Sequence, residues 1–235
     1  MTPPSTTRRP SRLRKWAIRL VVVVVVITAL YLGRRPVLRG VGGCLVVDEP
    51  ARPGDVVVLL DADGGYREAA KAYRGGFTKR VLLLETPPGR LQRLGILESD
   101  VEQKRKALGR EEVPCDDVTV VSCAGRGDWN RARGLREWLT RHPDAGVVAL
   151  CDRMNSRRLR HIYLAVLGAD LANRVRWRGV PHRWYDESNW WTNKAGLAAC
   201  VNDYLGLAHV CLFGENPGER EWDPDQYEQT LRRQP

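Results

Sequence analysis

Short apolar runs rich in β-branched residues alternate along this chain with longer stretches of helical pattern. This alternation is typical of βαβ units, in which helices join parallel strands and cover the sheet. The runs are continuously apolar, which indicates strands buried on both faces. We therefore predict an α/β fold, a Rossmann-like three-layer sandwich with a mainly parallel sheet. The predicted strands are 55–60, 81–84, 118–121, 147–150 and a less apolar run at 174–177.

Helices are predicted between these strands, and one of them has a clear start signal. Ser99 stands three residues before Glu102, the spacing of a capping box at a helix N-terminus. Glu102 is thereby either a capping residue or a candidate acid, base or arginine partner. The predicted helices lie at about 66–73, 99–108, 128–141 and 155–167, with a long helix after Gly196.

The N-terminal region carries one long apolar stretch, from Trp16 to Gly33, interrupted only by Arg19. Its 18 residues reach the length that a transmembrane helix needs. More basic residues precede the stretch than closely follow it, which favours a cytoplasmic N-terminus. We expect a single-pass inner-membrane protein with its domain on the extracytoplasmic side. A cleaved signal peptide is the alternative, although no small-residue cleavage site precedes Arg34.

The pattern divides the chain into five parts, of which one is long enough to bury a full core. The predicted parts are a disordered basic tail at 1–15, the transmembrane helix at 16–33, a linker at 34–52, the α/β domain at 53–213 and a C-terminal tail at 214–235.

Charge and cysteine usage exclude two classes of function. The first 40 residues hold nine basic side chains and no acidic one, whereas the remainder holds 29 basic and 28 acidic side chains. A nearly neutral domain does not predict a nucleic-acid surface. The six cysteines form no CxxC pair and the four histidines do not cluster, so the sequence predicts no metal site. Cys151 at a strand end is a candidate nucleophile that lacks an evident activating partner.

Polar residues follow two of the predicted strands directly. Asp152 comes after the strand at 147–150, and Arg157 and Arg158 open the next helix. Ligands of open α/β sheets bind at the carboxyl ends of strands, and guanidinium groups suit an anion there. After the first strand, the turn 61–65 holds two aspartates that either orient a ligand or only form the turn, and two glycines that permit close approach. The alternative for the arginines is a solvated basic first turn.

The order of these features resembles the YdcF/SanA/ElyC family, built on the domain of unknown function 218, in its membrane-anchored type. The resemblance covers about residues 40–213. It is carried by the segments 43–50, 54–60, 65–76 with Arg67, 151–158 and 185–191, and by Glu102 ahead of Pro114.

The resemblance implies an envelope role, in murein precursor or lipid-carrier metabolism, and a ligand site at the strand ends. One departure is Asn155, which stands where the family has a histidine. Asparagine cannot act as a general base at neutral pH. The catalytic candidates are Asp152, Glu102 and Asn155. The predicted ligand-binding residues are Asp61, Gly64, Gly65, Arg67, Asp152, Asn155, Arg157 and Arg158.

We therefore expect a pocket for an anionic, phosphate-bearing small molecule or lipid headgroup. Two alternatives stay open at this point: a non-catalytic factor that binds a ligand or protein, and a nucleotide-dependent transferase. The sequence identifies no cofactor and leaves open whether the protein is an enzyme.

Overall fold

The five predicted strands form one all-parallel sheet in the order β3-β2-β1-β4-β5. The computed structural model describes residues 12–53, 55–60, 62 and 64–214. Helices flank this sheet, which confirms the α/β class. The strands are β1 Val56–Leu60, β2 Val81–Glu85, β3 Val118–Ser122, β4 Val147–Asp152 and β5 Val175–Val180.

The helices follow the predicted alternation. One short helix was not predicted, and two helices continue past their predicted ends at residues 33 and 167. Ser99 caps its helix as predicted, since its hydroxyl accepts the backbone N–H of Glu102 at 3.2 Å. The four-residue α3 was not predicted because it is too short for a helical period. The helices are α1 Arg12–Gly43, α2 Gly65–Arg74, α3 Arg90–Arg93, α4 Asp100–Arg110, α5 Gly127–Arg141, α6 Ser156–Ala172 and α7 Lys194–Phe213.

The helices pack on both faces of the sheet because successive strand residues point to opposite sides. On β1, Val57 and Leu59 join a core with α2 and α4, whereas Val58 and Leu60 join a second core with α5 and α6. Both faces of the central strands are therefore dry. This burial explains why the strand runs are apolar throughout.

The C-terminal end of α1 packs against the domain. Residues 38–45, which we name the α1 foot, contribute to a third core with Trp190 and Met154. The Trp190 Nε1–H donates to the Leu38 carbonyl at 3.0 Å, and the Tyr204 hydroxyl donates to the Val41 carbonyl at 2.6 Å. The first ten residues of the predicted linker 34–52 are therefore helical, because the apolar residues of the foot pack on the domain.

Among the described residues, one helix is long and apolar enough to cross a membrane, and it is α7. The described apolar part of α1, Trp16–Val26, is shorter than a membrane-spanning helix has to be. Its side chains are largely exposed, with Leu20 at 66% and Val25 at 59%. The predicted span at 16–33 stays a prediction.

Several predicted features lie outside the described residues. They are the first eleven residues of the predicted tail, the turn aspartates Asp61 and Asp63, and the C-terminal residues after position 214.

Candidate functional site

The strand order reverses between β1 and β4, and this switch point locates a crevice at the carboxyl edge of the sheet. Leu60 pairs in register with Cys151, so the residues that follow the two strands leave the sheet side by side. The chain then turns to opposite faces, into α2 from β1 and into α6 from β4. Ligands of open parallel sheets bind in the crevice at such a switch point.

The β1 side of the crevice is built from two glycines with different roles. Gly64, at the N-cap of α2, has φ +75°, a backbone conformation that glycine adopts without strain. A Cβ atom at Gly65 would lie 3.2 Å from the Ala62 Cβ and 3.3 Å from a Leu59 methyl group. Gly65 thus permits close packing of α2 on the strand end. The N-terminus of α2 has no side-chain cap, and the Gly65 and Arg67 backbone N–H groups donate to the Ala62 and Gly64 carbonyls at 3.0 Å.

The β4 side of the crevice carries the polar residues that the sequence pointed to. Asp152 is the last residue of β4, and its Oδ1 accepts the Met154 backbone N–H at 3.0 Å. The Asn155 backbone N–H donates to the Asp152 carbonyl at 3.1 Å. Asp152 and Asn155 therefore lie in one tight turn. The register of β1 and β4 places this turn and the glycine turn at 64–65 at the same edge of the sheet, after neighbouring strands.

The N-terminus of α6 is closed by the chain segment that follows α1. The Arg157 backbone N–H donates to the Leu45 carbonyl at 3.1 Å. The fully buried Ser156 hydroxyl accepts the Val47 N–H at 2.7 Å and donates to the Arg153 carbonyl at 2.7 Å. This helix end is therefore occupied by the protein's own backbone.

The two arginines that open α6 diverge. Arg157 is exposed, and its guanidinium donates to the Val46 carbonyl at 3.4 Å. The Arg158 guanidinium turns to the other side, where Nε donates to the Asn155 side-chain oxygen at 2.7 Å and a terminal nitrogen lies 3.3 Å from Asp128. The pair does not form the joint anion clamp that their adjacency in sequence favours.

The side chains of Arg67 and Glu102 have their contacts elsewhere. The Arg67 Nε lies 3.4 Å from a carboxylate oxygen of Glu111, at the end of α4, and the Arg67 side chain is 77% exposed. Glu102 is exposed in the first turn of α4, which supports its reading as a capping residue. The structure does not bring either residue together with Asp152.

Cys151 is not accessible as a nucleophile. Its side chain is fully buried in the core between β4 and the helices α5 and α6. Burial raises the pKa of the Cys151 thiol far above its ordinary value, and the nearby carboxylate of Asp152 adds to the shift. The reactive form of a cysteine is the thiolate, which this environment disfavours.

Two acidic residues near the crevice escaped the sequence reasoning as site residues. Asp128 in the first turn of α5 pairs with Arg158 and lies 3.7 Å from Arg131. Asp203 is half-buried on α7, beside the turn whose Gly206 packs on the Arg158 side chain. Asp128 was detectable because it opens a helix directly after a strand. Asp203 was detectable as the one acidic residue within the apolar run 194–213.

Burial raises the pKa of Asp203 to about 6, a shift that Arg158 opposes and Asp152 increases. Between about pH 4 and about pH 6, Asp203 is ionised in the unfolded chain but keeps its proton in the folded protein. Stability from this group is therefore present at low pH and is lost as the pH rises through about 6.

We expect Asp203→Asn to gain stability over the wild type as the pH rises from about 4 to about 7, since the amide has no charge to desolvate. Urea unfolding of both proteins in detergent at several pH values measures the difference. A difference that is the same at both ends of this range would contradict the assignment.

A second cavity lies away from the crevice, between α6 and the outer strand β5. It has a volume of about 70 Å³ and is lined among others by Glu49, Arg160, Arg176 and Trp177. Arg160 is paired with Glu49 at 3.2 Å. The charged part of this lining, at an edge strand, thus consists of one carboxylate and two guanidinium groups.

No family model matches this chain, and no curated protein matches it.

Proposed function

We propose that this protein binds a small phosphate-bearing ligand in the crevice between β1 and β4. One observation carries the proposal: the strand order reverses between these two parallel strands, with the glycine turn at 64–65 after one and the Asp152–Asn155 turn after the other. The order β3-β2-β1-β4-β5 is that of a Rossmann-like sheet, in which this position holds a ligand.

The N-terminus of α2 supplies the phosphate contact in this proposal. Backbone N–H groups and the helix dipole favour an anion at a helix N-terminus. Gly64 leaves open space, because an added Cβ atom there would meet no atom within 4 Å. Asp152 and Asn155, on the opposite side, then orient polar groups of the non-phosphate part of the ligand.

Binding is better supported than a chemical step. Asn155 has no acid–base chemistry, and its side-chain oxygen already accepts a hydrogen bond from Arg158. Cys151 is buried and Glu102 lies away from the crevice. We accordingly favour the non-catalytic alternative, a ligand-binding domain.

We further propose that α1 anchors this domain to a membrane, with the ligand edge near the lipid surface. The exposed apolar side chains of α1 and the fixation of its foot beside Met154, in the β4–α6 turn, support this arrangement. The resemblance to the YdcF/SanA/ElyC family, an extracytoplasmic location and an envelope role belong to the same proposal.

A titration of the full chain in detergent with inorganic pyrophosphate tests the ligand proposal. We expect Gly64→Asp to lower the affinity at least about tenfold, the equivalent of about 1.4 kcal/mol, since it places a carboxylate beside the phosphate. Gly64→Asn is the matched control, with nearly the same shape and no charge. Both residues tolerate a positive φ better than other side chains do.

We expect the control to bind pyrophosphate nearly as well as the wild type. Absence of pyrophosphate binding, or equal affinities for the two variants, would overturn the phosphate site at α2.

A further inference from the structure

One face of α7 is exposed and apolar from Leu197 to Leu212. We name this set, whose side chains are exposed by 50%, 49%, 64% and 76%, the α7 stripe: Leu197, Val201, Leu205 and Leu212. At 3.6 residues per turn, these positions fall within an arc of about 80°. An apolar surface of this extent calls for an apolar surrounding.

The opposite face of α7 is bound to the protein from end to end. Cys200 and Val210 are buried, and a Cβ atom at Gly196 would lie 2.5 Å from the Trp190 carbonyl oxygen. Near the other end, Gly206 packs closely on the Arg158 side chain. These contacts hold α7 against the domain, although its length and composition would permit it to cross a bilayer.

The stripe is continuous with the contact between α7 and α1. Tyr204, next to the stripe on the helix surface, donates its hydroxyl to the Val41 carbonyl of the α1 foot. Val41 lies eight residues beyond Gly33, which is about 12 Å along a helix. The headgroup layer of a bilayer is about 5–8 Å thick on each side. The contact thus holds α7 within a helix diameter of the lipid surface.

The part of α1 between the apolar stretch and the contact with α7 is basic, as suits a position among lipid headgroups. Arg34, Arg35 and Arg39 are exposed on α1 between the apolar stretch and the contact with α7. Basic side chains at this level favour anionic headgroups.

We propose that the α7 stripe lies in the interface of the bilayer that holds α1, so that α7 is a membrane-lying helix and the domain rests against the lipid. This inference depends on the proposed anchor. It adds that the domain is held at two places, by α1 across the membrane and by α7 along the membrane surface.

Spin labels on the full chain in liposomes with anionic lipid test the inference. The background variant replaces the exposed Cys44, Cys115 and Cys211 by serine, and the other three cysteines are buried. Single labels are placed at Val201→Cys on the stripe, Val23→Cys on α1 and Glu137→Cys on α5. Collision with oxygen, which enters lipid, is compared with collision with a water-soluble nickel chelate.

We expect the label at Val201 to favour oxygen, as at Val23, and the label at Glu137 to favour the nickel chelate. A second label at Leu205→Cys repeats the reading if the first variant is poorly folded. Preference for nickel at both stripe positions, with Val23 in lipid, would overturn this inference and leave the anchor intact. Preference for nickel at Val23 as well would overturn the anchor itself.

Two further outcomes would also overturn the inference. A stripe label that neither reagent reaches would show that protein covers it. Spin–spin broadening would then identify the covering protein as a second copy of the chain. Absence of broadening would identify it as the segment after residue 214 of the same chain.

Discussion

Replacing Trp190 by alanine is expected to lower the free energy of unfolding by about 3–5 kcal/mol, the range for removing a large buried aromatic side chain. Trp190 is 7% exposed and packs against Leu45, Met154 and Cys200. Its indole N–H also holds the Leu38 carbonyl of the α1 foot. Removal leaves a cavity at the joint between α1 and the domain.

The matched control is Trp184→Ala, since Trp184 is 60% exposed. We expect this change to alter the unfolding free energy by less than about 0.5 kcal/mol. Chemical unfolding of both variants in detergent measures the difference. Equal effects would contradict the packing of the α1 foot on the domain.

Replacing Ser156 by alanine is expected to cost about 1–3 kcal/mol, because it leaves buried polar groups without a partner. The lost hydroxyl joins the Val47 N–H to the Arg153 carbonyl, and thus the segment after α1 to the β4–α6 turn. We also expect the Val47 amide to exchange its hydrogen faster in this variant.

Thr140→Ala serves as the control for Ser156, since its hydroxyl donates to the Arg136 carbonyl on an exposed helix surface. We expect an effect below about 0.5 kcal/mol. Unchanged exchange at Val47 in Ser156→Ala would show that the segment is held in another way.

The strands and most helices were predictable because their signals are local. An apolar β-branched run bounded by turn residues indicates a strand wherever it stands, and β1 and β4 begin within one residue of the prediction. The less apolar fifth run is also a strand, Val175–Val180, completed by pairing with β4. The helical start of the linker was not predictable, since its stability comes from distant residues such as Trp190.

The position of the crevice at the carboxyl edge of the sheet was predictable, whereas the partners of the nearby arginines were not. Parallel strands bring their carboxyl ends to one edge of the sheet. The sequence therefore predicts that Asp152 and the glycine turn lie at the same edge. A long guanidinium side chain, by contrast, selects its partner from the tertiary surroundings. Arg67 meets Glu111, 44 residues away, and Arg158 meets Asp128. Their proximity in sequence to a strand end did not determine their direction.

Hydrogen–deuterium exchange of the full chain with and without inorganic pyrophosphate tests the central claim most directly. The account predicts slower exchange in Gly64–Arg67, the segment at the N-terminus of α2 where it places the phosphate. Slower exchange confined to the cavity at β5, around Arg160 and Arg176, would contradict the account, and so would unchanged exchange in Gly64–Arg67.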